Sequence, residues 1–197
     1  MIGSFTYQCA SWLSKSLSEL RRHPSTAKGT FEFVKLITDH QLDRNRIMRS
    51  FDVKTLFTNI PVDFTVHLIL DTVFANKEYK FHGLNRTELP KMLIWSCKNT
   101  VLQFNGKYYT QLDGVAMGSP IAPLMADVFM NWLVDNVSEI GCSPHILCRY
   151  VDDIFCAFDS KDEMDKFFHN LNKVHSSISV SKEVEADGQL TYPTDKK

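Results

Sequence analysis

The stretch Arg149-Tyr150-Val151-Asp152-Asp153-Ile154 constrains this chain most, because it sets two adjacent carboxylates between two apolar runs, 145–148 and 155–158. Both runs predict buried strands, so the acidic pair falls in the tight connection between them. A two-residue hairpin turn favours Asn-Gly or Asp-Gly, since its residues take positive φ. Asp-Asp without glycine is a poor turn and leaves two like charges side by side. A cation between them relieves the repulsion, and hard divalent ions prefer oxygen ligands. A solvated acidic turn is the plainer explanation, and for an Asp-Asp pair taken alone it is the favoured one.

A second acidic site upstream shifts that balance. Asp52 is embedded in the β-like run that begins Met48-Arg49-Ser50-Phe51-Asp52-Val53 and ends in a turn at Asn59-Ile60-Pro61. A lone Asp late in a strand ordinarily caps a helix or a turn. Aspartates at the ends of two neighbouring strands, however, converge on one point. A two-metal site requires this, with ions about 3.5–4 Å apart clamping the attacking and leaving oxygens of a phosphoryl transfer. Asp52 and Asp152 are far apart in the chain, so only the fold can join them. Between them runs Gln111-Leu112-Asp113-Gly114-Val115-Ala116-Met117-Gly118-Ser119-Pro120, followed by an apolar run over 124–137. It reads as a glycine loop entering a helix, with Ser119 suited to the N-cap and Pro120 to the first turn. Alone it is an ordinary capped helix, although glycine also lets a backbone approach a flat ligand such as a base pair.

Taken in order, these segments resemble a known family. Phe51-Asp52-Val53 with Leu56-Phe57-Thr58-Asn59-Ile60-Pro61, then Gly114-Val115-Ala116-Met117-Gly118-Ser119-Pro120, then Tyr150-Val151-Asp152-Asp153 look like motifs A, B and C of reverse transcriptases. The Leu-Phe-Thr-Asn-Ile-Pro tail and the Met-Gly-Ser-Pro core are similar to Penelope-like retroelements. The resemblance extends from about the start of the chain to the region around Gly188. It implies an α+β fold: a reverse-transcriptase-like palm, an antiparallel sheet backed by helices, over 48–190. Residues 1–47 are then partial helical fingers, and 191–197 a tail with the thumb absent. A fragment of a retroelement polyprotein is the expectation, as is an RNA-directed DNA polymerase core working on an RNA template, a DNA primer and deoxynucleoside triphosphates. A catalytically inactive nucleic-acid-binding remnant is the alternative.

The resemblance also assigns roles. Asp52 and Asp152 become the principal ligands of two Mg²⁺ ions, replaceable by Mn²⁺, with Asp153 assisting and the backbone carbonyl of Val53 contributing. Phe57 matches the aromatic position that closes against the sugar and rejects a 2′-hydroxyl; as a residue it is equally well a core Phe at a strand end. Gly118, Ser119 and Pro120 shape the wall beside template and incoming base. Gln111 contacts nucleotide or template, or is a polar turn residue. Tyr150 packs near the primer end, or is a core strand residue. Lys173 or Lys182 stands where the family places a late lysine near pyrophosphate.

Composition excludes little. A net charge of −1 is unusual for a nucleic-acid enzyme, whose affinity for phosphates rests on Lys and Arg. Residues 1–50 nevertheless hold eight basic residues against four acidic ones, which suits either template contact or a solvated helix face. Cys148 and Cys156 lie in apolar runs and read as reduced core residues. That predicts a reducing, intracellular setting, and the resemblance to retroelements implies nuclear residence for target-primed integration. No apolar run approaches a membrane span. His169 and His175 lack zinc-spaced partners, and neither a P-loop nor a nucleophile elbow occurs.

Periodicity predicts helices over 5–20, 30–40 (with Phe31, Val34 and Ile37 on one face), 62–75 (with Phe64, Leu68, Leu70 and Val73 as core), 87–98, 120–137 and 161–174, the last capped by Ser160. It predicts strands over 47–53 and 177–184, and a hairpin 101–104/107–110 turning at Asn105-Gly106.

Overall fold

Strand β1 (Ile47–Val53) has a neighbour on each side, and both run antiparallel to it. The sheet order is β4-β5-β1-β6, with β4 spanning Ile146–Tyr150, β5 Asp153–Phe158 and β6 Val180–Glu183. The computed structural model describes residues 5–27, 29–39, 46–76, 78–98, 101–139 and 143–183. These fall into two units, one drawn from Met1–Arg22 and Thr55–Trp132, the other from His23–Lys54 and Leu133–Lys197. The four-stranded sheet lies wholly within the second.

Side-chain alternation fixes its register, since a slip of one residue would turn every apolar side chain to the wrong face. Phe51 stands opposite Ile154, and Ile47 opposite Phe158. On one face, the rings of Phe51 and Phe158 meet at 83° and both pack on Phe167 of helix α7 (Lys161–Leu171). On the other, Phe155 meets Phe33 of helix α2 (Thr30–Asp39) edge to face at 5.1 Å, with Ala27 and Cys148 completing the cluster. Each buried Phe contributes about 1.5–3 kcal/mol through removal from water. Ser160 caps α7 by accepting from the Glu163 N–H at 3.2 Å. The Asn172 side chain then accepts from the Val180 N–H at 2.8 Å and donates to its carbonyl, fastening the connection into β6.

The first unit contains α1 (Phe5–Ser16), a 3-10 turn (Ser18–Arg21), the short α3 (Leu56–Asn59), α4 (Val62–Val73), α5 (Leu89–Lys98) and the hairpin β2 (Val101–Phe104) and β3 (Lys107–Thr110). Residues 122–132 of α6 (Ala122–Glu139) belong to it as well. Asn105 and Gly106 both take positive φ, 49° and 73°, the signature of the type I′ turn their sequence predicts. Arg21 pairs with Asp127 of α6 at 2.7 Å, and the Asn131 side chain donates to the Leu20 carbonyl.

The α+β arrangement of an antiparallel sheet with helices is as the sequence implies, and β1, β2 and β3 keep their expected bounds. Other details differ. Residues 56–59 form a helical turn rather than an extension of β1, because Thr55 at φ +49° reverses the chain just beyond the strand. Helix α6 begins at Ala122, two residues later than expected. The Ser119 N–H already donates to the Ala116 carbonyl, and the Ser119 carbonyl accepts from Ala122, so a turn precedes the helix. In α2 the buried stripe is Phe33 with Leu36 and Ile37 alongside, leaving Phe31 and Val34 in solvent. In α4 it is Val62, Thr65, Val66, Ile69 and Leu70, while Phe64, flanking the stripe, stacks its edge on Trp132 at 4.6 Å. His40, Val184 and the expected tail at 191–197 lie outside the described residues.

Candidate active site

Asp52, the penultimate residue of β1, stands directly opposite Asp153, the first residue of β5. Asp153 is in turn opposite Tyr150 of β4, and Asp52 opposite Ser181 of β6. Opposed residues of antiparallel strands project from one face with Cβ atoms about 4.5–5.5 Å apart. Tyr150, Asp153, Asp52 and Ser181 therefore form a row across all four strands. Asp153 is 3% exposed, whereas Asp52 and Tyr150 are half-buried.

Asp152 sits one residue before this row, in the turn itself. The central turn residues are Val151 and Asp152 rather than the two aspartates. Val151 takes φ +55°, a left-handed conformation that a β-branched side chain adopts only under constraint. Such a residue stores about 1–3 kcal/mol of strain and persists when its surroundings over-determine it. Two contacts supply the constraint. The Asp152 carbonyl accepts from the Val53 N–H at 3.1 Å, tying the turn to β1. The fully buried Arg149 donates from Nη1 to the Val151 carbonyl at 3.0 Å and from Nη2 to Thr26 Oγ1 at 2.9 Å.

The donor chemistry fits a hard divalent ion: two carboxylates opposed on adjacent strands and a third in the adjoining turn, all in one unit, with Asp52 and Asp152 partly open to solvent. Among the described residues no three His, Cys, Asp or Glu side chains are gathered into a ready-made ligand group. Mg²⁺ does not need one, since it keeps several waters and binds through one or two carboxylates plus substrate phosphates.

The other expected site residues, Phe57, Gln111, Gly118, Ser119 and Pro120, belong to the first unit. There the glycine loop docks on α3. The Val115 N–H donates to the Phe57 carbonyl at 2.7 Å. Gly114, at φ +78°, comes so close that a Cβ would lie 2.4 Å from the Thr58 carbonyl oxygen. Asp113 Oδ1 accepts from the N–H groups of Gly114 and Val62, capping the start of α4 while holding the loop. The Gln111 side chain donates to the Asp113 carbonyl at 2.9 Å, so here it braces the loop. Gly118 takes φ +87° with open space around it, next to an exposed Met117. Phe57 is half-buried. Of the late lysines, Lys173 is exposed, and Lys182 pairs with Asp165 with its ammonium 4.4 Å from the Phe168 ring centroid.

Sequence reasoning missed Arg149, Thr26, Asp113 and Ser181. Arg149, the charged residue directly after the apolar run 145–148, is visible in the sequence, but nothing there links it to Thr26.

An antiparallel sheet with carboxylates at a hairpin tip and at the adjoining strand end defines a palm-type polymerase fold. Residues 5–183 match the family described as reverse transcriptase (RNA-dependent DNA polymerase), and the chain belongs to that family. Solved structures agree on the fold. Apo telomerase from Candida tropicalis, truncated from its C-terminal domain, superposes with a TM-score of 0.63 at 16% identity, over 91% of this chain and 41% of that one. Telomerase from Candida albicans, in complex with the TWJ fragment of telomeric RNA, gives 0.67 at 13% identity, over 93% of this chain and 36% of that one. The chain thus spans well under half the length of these telomerases. No curated protein sequence gives a significant match. Among the described residues, no helix is long and apolar enough to cross a membrane.

Proposed function

We propose that this chain is the core of an RNA-directed DNA polymerase of a Penelope-like retroelement. It extends a DNA primer on an RNA template with deoxynucleoside triphosphates. The observation that carries the reading is Asp52 opposite Asp153 in register, with Asp152 held beside them in the turn. In the reaction the primer 3′-oxygen attacks the α-phosphorus, and the bond to pyrophosphate breaks. Asp52 and Asp152 would supply the oxygens that hold two Mg²⁺ ions, or Mn²⁺, with Asp153 and the Val53 carbonyl assisting. Mg²⁺ held there would lower the pKa of the primer hydroxyl and neutralise charge on the leaving pyrophosphate. The protein contributes mainly positioning and charge stabilisation.

Tyr150, at the end of the acidic row, is the primer-side residue in this reading. Phe57 excludes the ribonucleotide 2′-hydroxyl, Gly118, Ser119 and Pro120 form the wall beside template and incoming base, and Gln111 contacts nucleotide or template. Residues 1–47 act as partial fingers, 48–190 as palm and 191–197 as tail. Buried free thiols at Cys148 and Cys156 suit a reducing intracellular setting, and target-primed integration places the protein in the nucleus.

The alternative reading is a nucleic-acid-binding remnant that keeps the palm and no longer polymerises. Primer extension on an RNA template with Mg²⁺ separates the two. Incorporation that Asp152→Asn abolishes supports the polymerase. Template binding without incorporation, unchanged by that substitution, supports the remnant.

A further inference from the structure

The segment at residues 25–27 lies along the free edge of β4, far upstream of it in sequence. The Arg149 N–H donates to the Ser25 carbonyl at 2.7 Å, and the Ala27 N–H donates to the Arg149 carbonyl at 2.9 Å. These two backbone bonds already attach the segment to the sheet. The Arg149 side chain therefore does something beyond attachment. Its guanidinium, on a fully buried residue, spans two acceptors, Thr26 Oγ1 on the segment at 2.9 Å and the Val151 carbonyl in the turn at 3.0 Å.

Burying a guanidinium carries a desolvation penalty of several kcal/mol, so a neutral residue would be the easier tenant if only packing were required. Arginine offers what neutral side chains and lysine do not: a rigid planar fork that holds two acceptors in a fixed relation. One prong is anchored on Thr26, outside the hairpin. The other fixes the carbonyl of Val151, the residue whose left-handed φ sets the path into Asp152 and Asp153.

We propose that Arg149, anchored by Thr26, is a positioning residue that locks the Val151 turn and so sets where the Asp152 and Asp153 carboxylates stand for the metal. The segment bearing Thr26 thereby becomes part of the active-site scaffold. This rests on the polymerase reading for its link to metal binding, but not for its link to the turn.

Two readouts on the full chain keep those links apart. The Val53 amide, bonded to the Asp152 carbonyl, reports turn geometry through hydrogen exchange. The Lys54 amide, bonded to Ser179 on the opposite flank of β1, is the internal control. Mn²⁺ affinity, measured by titration of the free-ion EPR signal, reports the carboxylates. Arg149→Lys and Thr26→Val are expected to speed Val53 exchange with Lys54 unchanged, and to weaken Mn²⁺ binding on the order of tenfold, the low end for loss of a ligand-supporting partner. Thr26→Ser, which keeps the hydroxyl, is expected to restore both. Unchanged Val53 exchange in folded Arg149→Lys and Thr26→Val overturns the proposal, as does loosened exchange with unchanged Mn²⁺ affinity. If wild type binds no Mn²⁺, the metal reading fails, and the Val53 amide alone decides whether Arg149 holds the turn.

Discussion

Asp52 and Asp153 face each other across the β1–β5 pairing, with Tyr150 and Ser181 flanking them in the same row. Like charges directly opposed on a sheet destabilise it, and a bound cation relieves that repulsion. Neutralising one member should thus raise metal-free stability: Asp153→Asn is expected to gain roughly 0.5–1 kcal/mol in urea unfolding with EDTA present. No gain, or a loss of similar size, would mean the two carboxylates do not repel in the folded chain.

Gly114 and Gly118 share a positive φ but not an environment. A Cβ on Gly114 would lie 2.4 Å from the Thr58 backbone oxygen, whereas nothing lies within 4 Å of one on Gly118. Gly114→Ala combines backbone strain with a clash that backbone cannot relieve, and is expected to cost about 2–4 kcal/mol. Gly118→Ala carries only the strain, about 1 kcal/mol. Chemical denaturation of both variants reads the difference, and equal losses would show that the Gly114–Thr58 approach is not tight.

Much of this was legible beforehand. The alternation around Asp52, the Asn-Gly hairpin and the Ser160 cap are local signals, and local chemistry decided them. The faces of α2 and α4 were not legible, since several apolar residues compete for each stripe and the partner chooses. Phe33 wins over Phe31 because Phe155 is there to receive it. The aspartates stood out in sequence, but their alignment depends on strand register, and the Arg149–Thr26 bond joins residues no local pattern connects.

Burial pushes the Cys97 thiol up to about 12 from its ordinary 9.0, against a lesser opposing pull from Lys98. The folded state therefore keeps its proton after the unfolded state has released it. This contribution is fully present below pH 9.0 and is lost as pH rises from there toward about 12. Unfolding midpoints are expected to fall through that window, and Cys97→Ser to flatten the decline. A midpoint independent of pH across the window would contradict the burial.

Removing the Ser160 hydroxyl leaves the Glu163 N–H at the start of α7 without its cap. Ser160→Ala is expected to cost about 1 kcal/mol, and Ser160→Asp to recover it. An unchanged unfolding midpoint in Ser160→Ala would show the cap to be dispensable.

Should Phe57 face the sugar, shortening it would admit a ribose. Phe57→Val is then expected to raise ribonucleotide use relative to deoxyribonucleotide use, by up to about 100-fold given how weakly an apolar wall rejects one hydroxyl. An unchanged ratio of kcat/KM values would return Phe57 to the core.

Single-turnover addition of one deoxynucleotide to a DNA primer annealed to RNA, in Mg²⁺, tests the central claim most directly. Wild type is expected to incorporate, and Asp52→Asn and Asp152→Asn each to lose about a thousandfold or more in rate, as removal of several kcal/mol of transition-state stabilisation requires. Incorporation by both variants at the wild-type rate would contradict the assignment of those carboxylates as the polymerisation centre.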